Sequence, residues 1–117
     1  MRGLRGATQI SANTVPAMEE AVVELCRELE ARNEIRPADI VWAIFTVTHD
    51  IDADFPARAA RAAGRTDVPM ISSREIPVPG SMPRVVRVLL HVDRDGPRSH
   101  VYLRGAQALR PDLHVRP

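Results

Sequence analysis

Arg87 stands in the middle of the apolar run "SMPRVVRVLLHV", residues 81–92. If Arg84 to Val92 is extended, Arg84, Val86, Val88, Leu90 and Val92 share one face, and Val85, Arg87, Leu89 and His91 share the other. A guanidinium between apolar neighbours is costly to desolvate unless an anionic, hydrogen-bonding group meets it. Glu75 is one such group: six of the seven glutamates lie between Glu19 and Glu34, which leaves Glu75 alone beside strand-like residues. Four other places carry chemistry: Arg5 between two glycines, Arg58 and Arg61 three residues apart, Tyr102 in "SHVYLRG", and Arg110 before Pro111. Several cationic forks with one carboxylate and one phenol suit a small polycarboxylate that bears a hydroxyl. The set lacks a nucleophile and base pair. Ser72 and Ser73 lie near Glu75 in sequence, but their spacing from the histidines supports no serine triad, and no phosphate loop is present.

Each of these residues also has a plain structural reading. Arg87 and Glu75 can form a salt bridge with each other, Arg58 and Arg61 can face solvent, and Arg110 can be a surface turn residue. Arg5 can bond a neighbouring carbonyl or acid, and Tyr102 can be a core ring with a satisfied hydroxyl. All sixteen basic residues are arginine, which fits bidentate anion recognition but also a codon bias, so each must be judged by its position.

The elements that must position these groups come from a chain of 117 residues, enough for one domain whose core is mainly aliphatic because only 3% of residues are aromatic. A net charge of +1 leaves no global footprint for nucleic acid or a membrane surface, so any anion is bound locally. Cys26 is the only cysteine, which excludes an intrachain disulfide and reads as core filling. His49, His91, His100 and His114 make no metal-ligand spacing with it, so no metal is expected. The start "MRGLRGATQISA" has no apolar signal core, and no stretch approaches the roughly 20 apolar residues of a membrane span. The expectation is a cytoplasmic protein.

"RGLRGATQI" reads as a strand whose two glycines admit close approach of another backbone. "NTVPAMEEAVVELCRELEARN" predicts a helix capped by Asn13 or Thr14 and closing near Asn33, with Met18, Val22, Leu25 and Leu29 on its buried face. Residues 38–48 read as a buried strand, followed by a short helix over "FPARAARAAG" that Asp54 can cap and Gly64 stops. "VPMISSREI" is a strand, "PVPGSMP" a turn, and residues 84–92 the strand that holds Arg87. "RDGP" at 94–97 predicts a hairpin to a returning strand "SHVYLRG", with a helical turn in "AQALRPDL". The order predicts an α+β fold: a mixed β-sheet of about five strands with helices on one face. The other face needs cover too, and a second copy of the chain is the simplest source.

Four separated motifs, "RGLRGAT" at 2–8, "FTVTHDIDADFPARAAR" at 45–61, "VPMISSREIPVPGSMPRVVRVLLHV" at 68–92 and "HVYLRGAQALRPDL" at 100–113, resemble the monofunctional chorismate mutases of the trimeric pseudo-α/β-barrel class. The all-helical class is a different fold that this sequence does not supply. The resemblance implies rearrangement of chorismate to prephenate, a step toward phenylalanine and tyrosine, without cofactor or covalent intermediate. It implies a homotrimer with each site at a junction of two subunits. Arg87 would bond the ether oxygen and a carboxylate, Arg5 would hold a carboxylate, and Glu75 would accept from the ring hydroxyl. Tyr102 would sit beside the enolpyruvyl carboxylate, and Phe55, Arg58, Arg61, Leu109 and Arg110 would close the pocket. Ser72 stands where many members have cysteine and keeps a donor there. Arg58 stands where lysine is frequent, "DRDGPRS" is shorter than in relatives, and only "HVRP" follows Leu113. Two other readings fit a compact trimer with arginine-lined pockets: a deaminase of enamine or imine intermediates, and a non-catalytic binder of aromatic-pathway metabolites.

Overall fold

The computed structural model describes residues 1–114; the tail that follows lies outside the described residues. Thr14 has extended backbone and its hydroxyl accepts from the Ala17 N–H at 3.2 Å, which starts helix α1 (Val15–Asn33). Glu34 ends it in the left-handed region at φ 54°, its N–H returning to the Glu30 carbonyl. Met18, Ala21, Val22, Leu25, Cys26 and Leu29 are all buried, so the apolar stripe read from the sequence is the face that packs.

Beneath that face lies a five-stranded sheet of β1 (Arg2–Gln9), β2 (Ile40–Val47), β3 (Met70–Arg74), β4 (Val85–Val92) and β5 (Val101–Tyr102), ordered β3-β2-β4-β1-β5. β4 runs antiparallel to both β1 and β2, while β3 joins β2 and β5 joins β1 in parallel. The sheet is therefore mixed, as expected, and the short helix α2 (Pro56–Ala62) joins α1 over the same side. Leu4, Phe45, Val86, Val88, Leu90 and Val92 point to the helices and are essentially fully buried. Removing each such side chain from water contributes about 1.5–3 kcal/mol, so this single layer of aliphatics is the main source of cohesion.

Gly6 shows why the layers approach so closely. A Cβ there would lie 2.9 Å from Leu29 Cδ1 and 3.1 Å from Leu25 Cδ1, so what comes near is the side chains of α1 rather than a backbone, while Gly3 faces open space. Two other local expectations are corrected. "RDGP" does not close a hairpin: β5 pairs with β1, not with β4, so residues 93–100 are a crossover past the β1 edge. Asp54 does not cap α2; Phe55 occupies the cap position and Asp54 instead takes the Arg58 Nε at 2.7 Å. The strand over 68–76 is shorter than expected, and the last turn is 3₁₀ helix over Arg104–Leu109 and Pro111–His114.

Two arginines are held inside. Arg2 donates to the carbonyls of Asn33, Arg94 and Pro97, which ties the crossover to the end of α1. Arg65 is fully buried, with Nε 3.0 Å from Glu30 and Nη2 3.2 Å from the Cys26 carbonyl. Cys26 itself is buried, and its thiol is pushed up to about 11 by desolvation, so it is an inert core group at neutral pH. Among the described residues no helix is long and apolar enough to cross a membrane.

Candidate active site

The strand registers place one row of side chains across the sheet face opposite the helices: Ser73 of β3, Thr46 of β2, Arg87 of β4, Ala7 of β1 and Tyr102 of β5. The adjoining row is Ile71, Ile44, Leu89 and Arg5. Period-two alternation thus puts Arg5 diagonally next to Arg87 and on the same face. Ala7 is the small spacer between Arg87 and Tyr102, and it packs with Tyr102, Ala106 and Leu109.

Arg87 and Glu75 meet on this face, Nε to Oε2 at 2.8 Å, and the Thr46 hydroxyl donates to the same oxygen at 3.1 Å. The Arg87 side chain remains 43% exposed and Glu75 21%, so the pair is accessible rather than sealed in the core. Among the described residues Glu75 engages only the Nε of Arg87, and the two terminal nitrogens, four N–H donors, carry no hydrogen bond. The pair lines a cleft of about 310 Å³ with Thr48, Val85 and Leu109. Tyr102 is buried, with the Arg110 guanidinium carbon 6.0 Å from its ring centroid and Arg110 held bidentately by Asp112 at 2.9 and 3.1 Å. Arg5 is exposed, and among the described residues no carboxylate pairs with its guanidinium.

The remaining candidates lie elsewhere. Phe55 and Ser72 line a separate cleft of about 390 Å³ with Val47, Ile51 and Arg74. Ser72 is in register with Phe45, which faces the helices, whereas Glu75 follows the opposite alternation with Ser73 and Thr46. Edge strand β3 therefore separates the two clefts. Arg58 and Arg61 follow Phe55 on α2; Arg58 is tied to Asp54 and approaches Glu19 at 3.8 Å, and Arg61 is exposed. One chain thus gathers Arg5, Glu75, Arg87, Tyr102, Leu109 and Arg110 on one side, and Phe55, Arg58, Arg61 and Ser72 on the other.

Sequence reasoning missed Thr46, His100 and Asp112. Thr46 was findable as the residue two before Thr48 in an alternating strand, but its alignment with Arg87 depends on register. His100 accepts the Arg5 backbone N–H at Nδ1, 3.0 Å away, and no local signal announces that. No group of three or more His, Cys, Asp or Glu among the described residues is placed to hold a metal. A cluster of donor forks around one carboxylate can bind and orient a small polyanion and meet charge that develops on it.

Residues 1–113 match the family model for chorismate mutase type I. The chain is 46% identical over 117 residues to the chorismate mutase AroH of Thermus thermophilus, covering 97% of this chain and 96% of that protein. It is 34% identical over 119 residues to the chorismate mutase AroH of Bacillus subtilis strain 168, covering 98% and 94%. A solved chorismate mutase from Clostridium thermocellum superposes with a TM-score of 0.88 at 40% identity, covering 92% of this chain and 99% of that one. The chain, with its five-stranded mixed sheet and its arginine and glutamate pair on the uncovered face, belongs to the chorismate mutase type I family.

Proposed function

We propose that this protein rearranges chorismate to prephenate, in the path to phenylalanine and tyrosine, at sites completed by two subunits of a homotrimer. The observation that carries the reading is the accessible Arg87 and Glu75 pair, with Arg5 diagonal to it and Tyr102 one row-neighbour beyond Ala7. The reaction is pericyclic. The carbon–oxygen ether bond breaks ahead of carbon–carbon bond formation, so negative charge grows on the enolpyruvyl fragment and the ring becomes electron-poor. Arg87, its Nε held by Glu75, turns its terminal N–H donors to the ether oxygen and a carboxylate, and stabilises the transition state more than the ground state. Glu75 accepts from the ring hydroxyl and lies against the developing positive charge. Arg5 clamps a carboxylate, with Tyr102 beside it, and so holds the substrate in the compact form from which the new bond closes.

Assembly follows from what one chain leaves uncovered. Leu89, Ile71 and Ile76 are 40%, 64% and 82% exposed on or beside the sheet face that bears the pair, and Phe55 is 70% exposed above the other cleft. A second copy that covers this apolar face brings Phe55, Arg58, Arg61 and Ser72 of one subunit to Arg87 and Glu75 of the next. Leu109 and Arg110 then close the pocket from the Arg87 side. No residue supplies a nucleophile, and positioning with electrostatics is the whole of the chemistry asked of the chain. In this reading it works in the cytoplasm.

The test is conversion of chorismate by the purified full chain, followed as prephenate, against Arg87→Ala checked for native secondary structure. Turnover that falls by two to three decades, about 3–4 kcal/mol for one lost preorganised donor, supports the assignment. Wild-type turnover in a folded Arg87→Ala protein overturns it.

A further inference from the structure

β5 pairs with β1 through only two residues, Gly6 with Val101 and Ala7 with Tyr102. The ladder then stops one residue short of Arg5, whose N–H points to the same edge as that of Ala7. A strand-edge N–H of this kind otherwise relies on water. In this protein the imidazole of His100 takes it, Nδ1 lying 3.0 Å from the Arg5 nitrogen. We propose that His100 is a positioning residue for Arg5: it substitutes for the missing ladder carbonyl and fixes the backbone from which the Arg5 guanidinium reaches the substrate. This rests on the reading of Arg5 as a carboxylate clamp.

The bond requires a neutral ring with the proton on Nε2, because a protonated Nδ1 has no lone pair to offer. The surroundings favour that state. His100 is half-buried, and its pKa is lowered by this desolvation and by the cations of Arg5 from β1 and Arg110 beyond the 3₁₀ turn. The end of α1 presents a neutral group: the Asn33 amide bonds both the N–H and the carbonyl of Ser99, which holds the residue next to the histidine. The chain is thus pinned one residue before the imidazole, which stays an acceptor at neutral pH.

Asparagine places an oxygen where Nδ1 stands, whereas glutamine places its polar end at the position of Nε2. In the purified full chain, His100→Ala should raise KM for chorismate roughly five- to tenfold, the value of one lost backbone hydrogen bond, with a smaller change in kcat. His100→Asn should restore KM to near the wild-type value and His100→Gln should not. Equal behaviour of the Asn, Gln and Ala variants, whether impaired or not, overturns the proposal. Nitrogen chemical shifts of the wild-type imidazole give a readout independent of activity: the Nε2–H tautomer is expected, and an Nδ1–H or doubly protonated ring at pH 7 overturns it. Arg5→Ala separates the two readings, since an unchanged KM there removes the clamp itself while leaving the tautomer result standing.

Discussion

Arg87 Nε lies 2.8 Å from Glu75 Oε2 although Arg87 is in β4 and Glu75 directly follows β3, a strand that never pairs with β4: β2 lies between them, and Thr46 of β2 donates to the same carboxylate oxygen. The carboxylate therefore orients the guanidinium as well as facing the cleft. Glu75→Gln keeps an acceptor for Nε but removes the charge, so a folded variant should lose roughly three- to thirtyfold in kcat, the difference between a charge-assisted and a neutral bond. Steady-state kinetics on chorismate decide it. An unchanged kcat would reduce Glu75 to a structural partner of Arg87.

Gly6 sets the distance between α1 and the sheet. Its missing Cβ would contact Leu29, Leu25 and Val88 at 2.9, 3.1 and 3.2 Å, so Gly6→Ala overpacks a site closed on three sides. The expected loss is about 1–3 kcal/mol in urea unfolding. Because Leu29 Cδ1 is the nearest atom, the same change in a Leu29→Ala background should cost less, and strict additivity in that cycle would show that the strain lies elsewhere.

Arg65 tests what a buried charge contributes. Its side chain is fully buried while Glu30 is 19% exposed, and among the described residues its Nη1 has no hydrogen-bond partner. Arg65→Ala leaves Glu30 facing the core alone and frees the Cys26 carbonyl, for an expected loss of about 3 kcal/mol or more. Replacing both by apolar residues, as in Arg65→Met with Glu30→Leu, should recover much of that loss. A double variant as unstable as the single one would show that the pair itself, not the unpaired acid, was stabilising.

What the sequence could and could not disclose follows from the range of the forces involved. In the series Thr14, Met18, Val22, Leu25, Leu29 and Asn33 each residue lies about one turn from the next, and α1 has the bounds that reading expected. Arg87 was identifiable because alternation in a strand is also local. The hairpin at "RDGP" failed because a turn signal says that the chain bends, not which strand it then joins; β5 makes its two-residue ladder with β1 instead. Asp54 failed because a carboxylate beside a helix start can cap it or take a cation, and Arg58 one turn on competes for it. The burial of Arg2 and Arg65 was invisible, since their partners are mostly main-chain carbonyls contributed by distant elements. The division of the site into two sets on either side of β3 depends on register, which no short motif encodes.

Asp50 gives the fold an acid-sensitive joint. Partial desolvation raises its pKa, but the Thr48 hydroxyl, 2.5 Å from Oδ1, and the Arg84 backbone N–H, 3.2 Å from Oδ1 and 3.0 Å from Oδ2, more than offset this and bring it below the ordinary carboxylate value. A folded pKa below the unfolded value contributes stability above about pH 4 that is lost as pH falls through the folded pKa. Solvent exposure keeps the contribution to about 1 kcal/mol. Urea unfolding should therefore separate wild type from Asp50→Asn at pH 7, and the gap should narrow below pH 4. A gap that is constant down to pH 3 would exclude the carboxylate as its source.

The shared site can be tested by mixing two inactive proteins. One chain carries Arg87 and Glu75, and the Phe55, Arg58, Arg61 and Ser72 set lies across β3 from them. If each site takes the first set from one subunit and the second from its neighbour, a trimer assembled from Arg87→Ala chains and Arg58→Ala/Arg61→Ala chains contains some sites with both sets intact. Random assembly of equal amounts makes roughly one quarter of sites of this kind, because each set is intact in half of the chains and the two are drawn from different subunits. Unfolding the two variants together and refolding them should restore about that fraction of wild-type turnover, while each refolded alone stays inactive. Sites built within one chain would give no recovery at any mixing ratio, since every chain then carries one defect. Recovery that rises and falls with the product of the two mole fractions would establish both the shared site and the closed assembly that produces it.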